Sequence, residues 1–389
     1  MGIRRLLIGL GVVVTVAGGS AARAATATTY YVSPSGNDRA SGRSPKQAWR
    51  SVSRVNDARL VPGDVVLFKS DATFSDATLT PPTSGAAGAP IVFASYGKGK
   101  ATIANPGGAV WFSGRSYVTF QNLLLTTGNS DGVIFAGSSE ASTHVTVRNS
   151  VLRDSNYAAV NQPNSRDSGW LFRNNLIQHV GDSGMLLAGS NDVVWGNTIK
   201  DVGWNPALAY GKHGIYSKGR SILIAHNRIV GFPNGSGISL RFSGARVVDN
   251  RISYGSTAIS SYHEDDQIGT SYVQGNRISS ITRAAFYYDV GGGENFVLTG
   301  NTFKMAGGTT LDIAGTPRNR LTVSGNSFVG SFDYAISLEA LTGGPVFSEF
   351  KNRFAGDPRF ALGGRLLTYE QYRSVSGQGS GDRVGLASE

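Results

Sequence analysis

Two basic side chains occupy the same position in neighbouring repeats of this chain. Lys218 is the fifth residue of a segment that begins at Gly214, and Arg241 is the fifth residue of a segment that begins at Gly237. If these segments are stacked parallel strands, the two cations lie roughly 4.8 Å apart and repel each other unless an anion lies close to both. The repulsion favours a neutral lysine, which can act as a base. Such a pair could remove a proton next to a carboxylate, as β-elimination from a uronate sugar requires.

A repeated phrase of Asn, any residue and an apolar residue predicts that the segments do stack. Its copies are separated by 23 to 30 residues. The Asn positions are Asn122, Asn149, Asn174, Asn197, Asn227, Asn250, Asn276, Asn301, Asn326 and Asn352. This period is typical of a solenoid, in which each coil buries its apolar residues against its neighbours. We interpret the Asn residues as structural, because Asn tolerates left-handed turns and can form ladders between coils.

One strand in each coil begins with a small residue and then an apolar one. The pairs are Gly132-Val133, Ala159-Val160, Gly184-Met185, Gly214-Ile215, Gly237-Ile238, Ala258-Ile259, Ala285-Phe286, Thr310-Leu311 and Ala335-Ile336. Side chains alternate between faces along a strand, so the second and fourth residues should point inward and the third and fifth outward. Inward fourth residues would include Phe135, Leu187, Leu240, Ile313 and Leu338. Each outward position then becomes a column along the solenoid.

The two outward columns change character in the middle coils. Flanking members such as Ile134, Ala136 and Leu186 are apolar, whereas the middle members are polar or aromatic: Tyr216, Lys218, Arg241, Tyr262, Tyr287, Asp289 and Asp312. We predict a site there with the catalytic residues Lys218, Arg241, Tyr216 and His213. The predicted substrate-binding residues are Tyr262, His263, Tyr287, Asp289, Trp204 and Tyr210. Trp204 and Tyr210 lie in the longest coil, and their rings could stack on sugars.

Other functions fit the same residues. Asp289 and Asp312 on adjacent coils could be the paired carboxylates of a glycoside hydrolase. A C5 epimerase would share the proton abstraction, and a non-catalytic glycan-binding surface protein would need only the exposed face. The acidic run at residues 263–266 is typical of a solvated loop. Five His and no Cys argue against a zinc site, and we expect no cofactor.

The N-terminus predicts export. Arg4 and Arg5 precede an apolar run, and Ala22-Arg23-Ala24 is typical of a signal-peptide cleavage site. We predict a signal peptide over 1–24, a cap and first coils over 25–105, the solenoid over 106–354 and a tail over 355–389. The destination would be the periplasm or the medium. A net charge of +10 suits a polyanion such as an acidic polysaccharide. We expect a monomer that binds neither nucleic acid nor, once the signal is removed, a membrane.

Several segments resemble exported right-handed parallel β-helix proteins of the pectate-lyase-like superfamily. They are residues 30–38 (YYVSPSGND), 49–52 (WRSV) and 62–67 (PGDVVL). The resemblance spans nearly the whole mature chain and implies an all-β right-handed parallel β-helix of about ten or more coils with an N-terminal capping segment. It does not specify a reaction, because lyases, hydrolases and epimerases share this fold.

A narrower resemblance is to polysaccharide lyase family 6, the alginate lyases and chondroitinase B. Residues 215–218 (IYSK) and 237–241 (GISLR) look like the strands that carry that family's catalytic Lys and its following Arg. The resemblance implies that Lys218 is the base and Arg241 the acid or the group that neutralises the carboxylate. That family also uses calcium, held by acidic residues upstream of the Lys. Gly211, Lys212 and His213 stand at that stretch here, so the expected calcium ligands are not evident.

Overall fold

The computed structural model describes residues 26–128, 132–208, 211–262, 269–289, 294–314, 320–339 and 347–386. Its strands form two sheets, almost entirely parallel, that wind into a solenoid of about 11 turns around one hydrophobic core. The predicted all-β solenoid is therefore confirmed. The first sheet has 13 strands: Thr29–Val32, Val65–Lys69, Ile91–Tyr96, Val118–Gln121, Thr146–Arg148, Leu171–Arg173, Val193–Trp195, Leu223–Ala225, Arg246–Val248, Thr270–Gln274, Asn295–Thr299, Leu321–Ser324 and Phe347–Phe350.

The second sheet supplies the remaining faces of each coil and has 22 strands. They are Thr73–Phe74, Ala101–Ala104, Val110–Phe112, Leu123–Thr126, Ile134–Ala136, Val151–Ser155, Val160–Gln162, Leu176–Val180, Met185–Leu187, Thr198–Val202, Ile215–Ser217, Arg228–Leu240, Arg251–Tyr262, Arg277–Asp289, Thr302–Ala306, Thr309–Ala314, Ser327–Ser331, Tyr334–Leu338, Arg353–Ala355, Phe360–Leu362, Arg365–Leu367 and Arg383–Leu386. Three of them are long because two strands of the coil merge there into one, with a register shift where the chain turns the corner.

Short helices lie near the two ends of the described chain. A 3₁₀ turn covers Pro45–Gln47, and a short α-helix covers Val52–Asn56. Trp49 lies between them in extended conformation and pairs with Val32. Within the described ranges, no helix combines the length and apolar character needed to cross a membrane.

The C-terminal helix Tyr369–Ser376 closes the far end of the core. Thr368 and Gln371 form a capping box at its start. The ring of Tyr372 stacks on Phe360 with 4.1 Å between centroids. Solenoids need such a cover, because the last coil has no neighbour to bury its apolar face.

A buried asparagine ladder connects the coils. The first member, Asn175, accepts a hydrogen bond from Ser150 N–H, and each later member accepts one from the backbone N–H of the member before it; Asn227 N–H, for example, donates to Asn250 Oδ1 at 2.9 Å. The members are Asn175, Asn197, Asn227, Asn250, Asn276, Asn301, Asn326 and Asn352. Asn122, Asn149 and Asn174 are not in the ladder, because they hold the left-handed turn one residue earlier, with φ of 54°, 51° and 55°.

The glycine at the start of three of these segments has a steric cause. A Cβ on Gly184, Gly214 or Gly237 would lie 2.7–2.8 Å from the Cγ2 atom of a core isoleucine. The predicted facing fails in the first coil, where Ile134 pairs with Val160, and Phe135 with Asn161. Ile134 and Ala136 are therefore buried while Phe135 is half-buried on the outer face, the reverse of the prediction.

Candidate functional site

Two outward rows of side chains cross the middle coils in the predicted order. The first outward row is set by successive strand pairings through Leu186, Tyr216, Ser239, Ser260, Tyr287, Asp312 and Ser337. The second outward row is Lys218, Arg241, Tyr262, Asp289, Ala314 and Glu339. Its order follows from the pairing of Ser217 with Leu240, of Leu240 with Ser261, and of Tyr262 with Asp289. The structure thus brings together the predicted residues that these two rows contain.

Arg241 is held between two aromatic rings. Its guanidinium carbon lies 4.5 Å from the ring centroid of Tyr262 and 5.1 Å from that of Tyr216. Lys218 Nζ lies 5.8 Å from the Tyr216 centroid, so both cations contact the same ring. Cation–π contacts of this kind fix a guanidinium without neutralising it. Arg241 is thus oriented by the two rings, and Lys218 is exposed beside it.

His213 is buried against this cluster in one tautomer. Its ring stacks on Tyr216 with 5.3 Å between centroids, and its Nδ1 accepts a hydrogen bond from Ser236 N–H at 3.0 Å. An acceptor Nδ1 carries no proton, so the neutral ring holds its proton on Nε2. Burial and the nearby charge of Arg241 lower the pKa of His213 to about 4. His213 is therefore a neutral N–H donor at physiological pH.

A cleft of about 430 Å³ opens beside these residues. Its described lining has two arginines, Arg241 and Arg283, together with His213 and Tyr262, and no described lining residue is acidic. The rest of the described lining is small or polar: Gly211, Pro233, Asn234, Gly235, Ser236, Ser256 and Thr257. Positive charge with neutral hydrogen-bonding groups suits a ligand that carries a carboxylate.

Acidic side chains lie on the coils that follow. Tyr287 packs against Tyr262 with 5.2 Å between ring centroids, and Arg283 lies 5.0 Å from the Tyr287 centroid. Asp312 is the strand partner of Tyr287 on the next coil. Asp289 lies two residues after Tyr287, so Asp289 and Asp312 are diagonal neighbours. Burial raises the pKa of Asp312, against the opposing charge of Arg283.

The sequence reading did not single out Arg283 or Glu339. Arg283 stands before the small–apolar pair at residues 285–286, a position to which the column pattern assigned no role. Glu339 belongs to the second outward row, but Ala314 lies between it and the middle coils. The polar patch predicted from the sequence therefore did not include Glu339. Its charge raises the pKa of Asp312, although less than burial does.

Trp204 lies apart from the cleft lining. It is 40% exposed, and its ring stacks on His179 with 5.1 Å between centroids. His179 Nδ1 in turn lies 2.8 Å from Asp201 Oδ2. Trp204 therefore packs its loop onto the preceding coil. The predicted residues Tyr210 and His263 lie outside the described residues.

Metal-binding residues do not cluster within the described ranges: no three His, Cys, Asp or Glu side chains lie together there as a set of ligands. The cleft offers arginines, tyrosine and a neutral histidine instead of the oxygen anions that calcium prefers. The described residues thus do not fit a calcium site next to Lys218.

Comparison with known proteins identifies the fold. A family model described as a right-handed beta helix region matches residues 196–350. The solved complex of XylC with xylose has a TM-score of 0.66 at 10% identity and covers 92% of this chain and 86% of that chain. A PL6 family polysaccharide lyase from Pseudopedobacter saltans has a TM-score of 0.50 at 14% identity, covering 86% and 91%. The chain therefore has the fold of a right-handed parallel β-helix.

Two further similarities are to lacto-N-biosidases. The enzyme of Bifidobacterium longum subsp. longum is 33% identical over 143 residues, which is 29% of this chain and 9% of that protein. The GH136 lacto-N-biosidase from Eubacterium ramulus has a TM-score of 0.52 at 15% identity, covering 92% of this chain and 68% of that chain. The matched segment thus spans only 9% of the length of this curated relative.

Proposed function

We propose that this protein is an exported enzyme that cleaves a uronate-containing polysaccharide by β-elimination. The observation that carries the proposal is the cleft, whose described lining holds Arg241, Arg283 and a neutral His213 but no carboxylate. Lys218 stands next to Arg241 in the second outward row, so a base and an anion-binding group lie on adjacent coils. The carbohydrate-active enzymes among the similar proteins support action on a glycan.

Each residue has a distinct part in the proposed reaction. Arg241 binds the sugar carboxylate, which stabilises the negative charge that develops when C5 loses its proton. Lys218, as a neutral amine, accepts that C5 proton. The C4–O4 bond then breaks, a C4–C5 double bond forms, and O4 leaves with a proton from Tyr262, while His213 Nε2–H donates a hydrogen bond into the cleft. The ring of Tyr216 makes cation–π contacts with both Lys218 and Arg241.

A glycoside hydrolase is the second candidate, favoured by the acidic end of the two rows. Asp289 and Asp312 are diagonal neighbours on adjacent strands, with Cα atoms roughly 8 Å apart from the strand spacing and rise. The pKa of Asp312 is raised by burial, as a general acid requires. Asp289 would then act as the nucleophile or base. The likeness to lacto-N-biosidases supports this alternative.

The two chemistries leave different products, so one assay separates them. The mature protein is incubated with alginate, polygalacturonate, glucuronan and glycosaminoglycans while near-ultraviolet absorbance and reducing ends are followed. We expect an absorbance rise from the unsaturated uronate, abolished in Lys218→Ala and retained in the control Lys304→Ala, whose lysine is also exposed.

N-terminal sequencing of the secreted protein tests export, and we expect the mature protein to begin at Ala25.

Other outcomes would contradict the lyase proposal. New reducing ends without absorbance, lost in Asp312→Asn but not in Lys218→Ala, would establish the hydrolase. A change in uronate configuration without chain cleavage would indicate an epimerase. Binding of a glycan that Lys218→Ala weakens, without turnover of any polymer, would favour a non-catalytic surface protein.

A further inference from the structure

Three exposed arginines form a strip at the other end of the same long strands. Arg228, Arg251 and Arg277 are the first residues of these strands and are direct partners in register. Each follows a buried ladder asparagine, so the alternation of strand side chains directs the arginine outward. Thr198 and Thr302 occupy the same row on either side, so the strip spans three coils.

The three positive charges of this arginine strip outnumber the acids in the described lining around them. Stacked strands place the three residues roughly 4.8 Å apart, and like charges directly opposite each other are destabilising. In the part of the chain that the structure describes, none of the three forms an ion pair with a carboxylate. The arrangement therefore favours an external anion, which would relieve the repulsion.

The strip lies in a depression large enough for sugar units. Its volume is about 500 Å³, and its described lining also includes His226, Asp249 and Gly275. Asp249 is the one acid in that lining, and its carboxylate lies 4.0 Å from His226 Nε2. A Cβ on Gly275 would clash with this carboxylate. Glycine at position 275 therefore leaves space for the Asp249 side chain.

We propose that the arginine strip is an accessory, non-catalytic site for the carboxylates of an acidic glycan. Guanidinium groups match carboxylates with paired hydrogen bonds, and three of them in line suit a linear chain better than a single ion. The strip is distinct from the candidate cleft, because the strands turn a corner between Phe232 and Ser236. The proposal does not depend on how, or whether, Lys218 acts.

The test measures polymer binding in a protein whose cleft has lost Arg241. In an Arg241→Ala host, the triple variant Arg228→Ser/Arg251→Ser/Arg277→Ser is compared with Arg59→Ser/Arg359→Ser/Arg365→Ser. The control removes the same charge from other exposed positions. Affinity for polygalacturonate and for polyphosphate is measured at two salt concentrations. Circular dichroism and melting temperature confirm that both triple variants are folded.

We expect the strip variant to bind polygalacturonate about tenfold more weakly, with a smaller salt dependence, because three ionic contacts are lost. The control should stay within about twofold of the host. An equal loss in both variants would show that only net charge matters and would overturn the proposal. Unchanged affinity in the strip variant would also overturn it. Tighter binding of polyphosphate than of polygalacturonate, lost in the strip variant, would overturn the assignment to carboxylates.

Discussion

At the scale of single residues, the hydrogen bond to an imidazole determines what His213 can do. A histidine beside a basic pair looks like a general base, but its Nδ1 lone pair is already taken by Ser236 N–H. The backbone N–H of His213 donates to Ser183 Oγ at 3.0 Å, and the ring also stacks on Tyr216, so both the main chain and the ring are held in place. The residue can thus donate a hydrogen bond into the cleft but is poorly placed to accept a proton there.

We predict that His213 stays neutral, with its proton on Nε2, from about pH 5.5 to 8, because burial and Arg241 lower its pKa to about 4. Long-range ¹H–¹⁵N NMR of the imidazole nitrogens checks this directly. His213→Gln, which can still accept from Ser236 and donate outward, identifies the signal by its loss. Titration of that signal near pH 6.5 would contradict the prediction.

At the scale of secondary-structure elements, the asparagine ladder sets the register that places the outward rows. Asn250 illustrates its role: Oδ1 accepts from Asn227 N–H, and Nδ2 donates to Ile224 O at 2.8 Å. Both partners belong to the preceding coil. A buried amide that satisfies two backbone groups ties neighbouring coils together at one fixed offset.

Substitution of a ladder Asn should therefore cost far more stability than substitution of a turn Asn. Asn250→Ala leaves a buried N–H and a buried carbonyl unpaired, and we expect a loss of about 2–4 kcal/mol in the free energy of unfolding. The control is Asn149→Gly, which shares the sequence phrase but holds φ at 51°, where glycine fits; we expect a change within about 1 kcal/mol. Urea unfolding measures both. Equal losses would refute this distinction.

At the scale of the whole molecule, buried carboxyl groups dominate the response of stability to pH. Burial raises the pKa of Asp167 to about 6, of Asp192 to about 7 and of Glu349 to about 8. Each keeps its proton when folded at pH values where the unfolded chain has lost it. Their contributions lower the free energy of unfolding as pH rises from about 4 to the folded pKa of each group, the highest being about 8 for Glu349. His213, with its lowered pKa, acts in the opposite direction below about pH 6.5.

We predict that Asp192→Asn raises the melting temperature by a few degrees at pH 7.5 and by clearly less at pH 5. In the wild type the folded carboxyl must take up a proton that the unfolded chain has lost, and this cost grows with pH from about 4 up to the folded pKa of about 7, so removing it gains more stability at pH 7.5 than at pH 5. Differential scanning fluorimetry at the two pH values measures the effect. The control Asp154→Asn makes the same charge change at an exposed carboxylate. A shift of equal size at both pH values would exclude ionisation of Asp192 as the cause.

The sequence by itself determined the solenoid and most of the order within it. A repeating phrase fixes which residues are equivalent, and stacking then places Lys218, Arg241 and Tyr262 in one row, because equivalent positions of parallel strands must adjoin. The first coil escaped this logic. Val133 and Ile134 are both apolar, so the pattern could not distinguish the predicted register from one shifted by a single residue. The shifted register, which the structure has, turns Phe135 outward.

Only the tertiary structure decided what surrounds each of these side chains. The same Asn phrase gives a ladder member at Asn227 and a turn at Asn122, because the difference lies in hydrogen bonds to another coil. The tautomer of His213 depends on Ser236, which is 23 residues away. Arg283 joins the cleft lining from a neighbouring coil. Such contacts depend on distance and direction between coils, which periodicity does not encode.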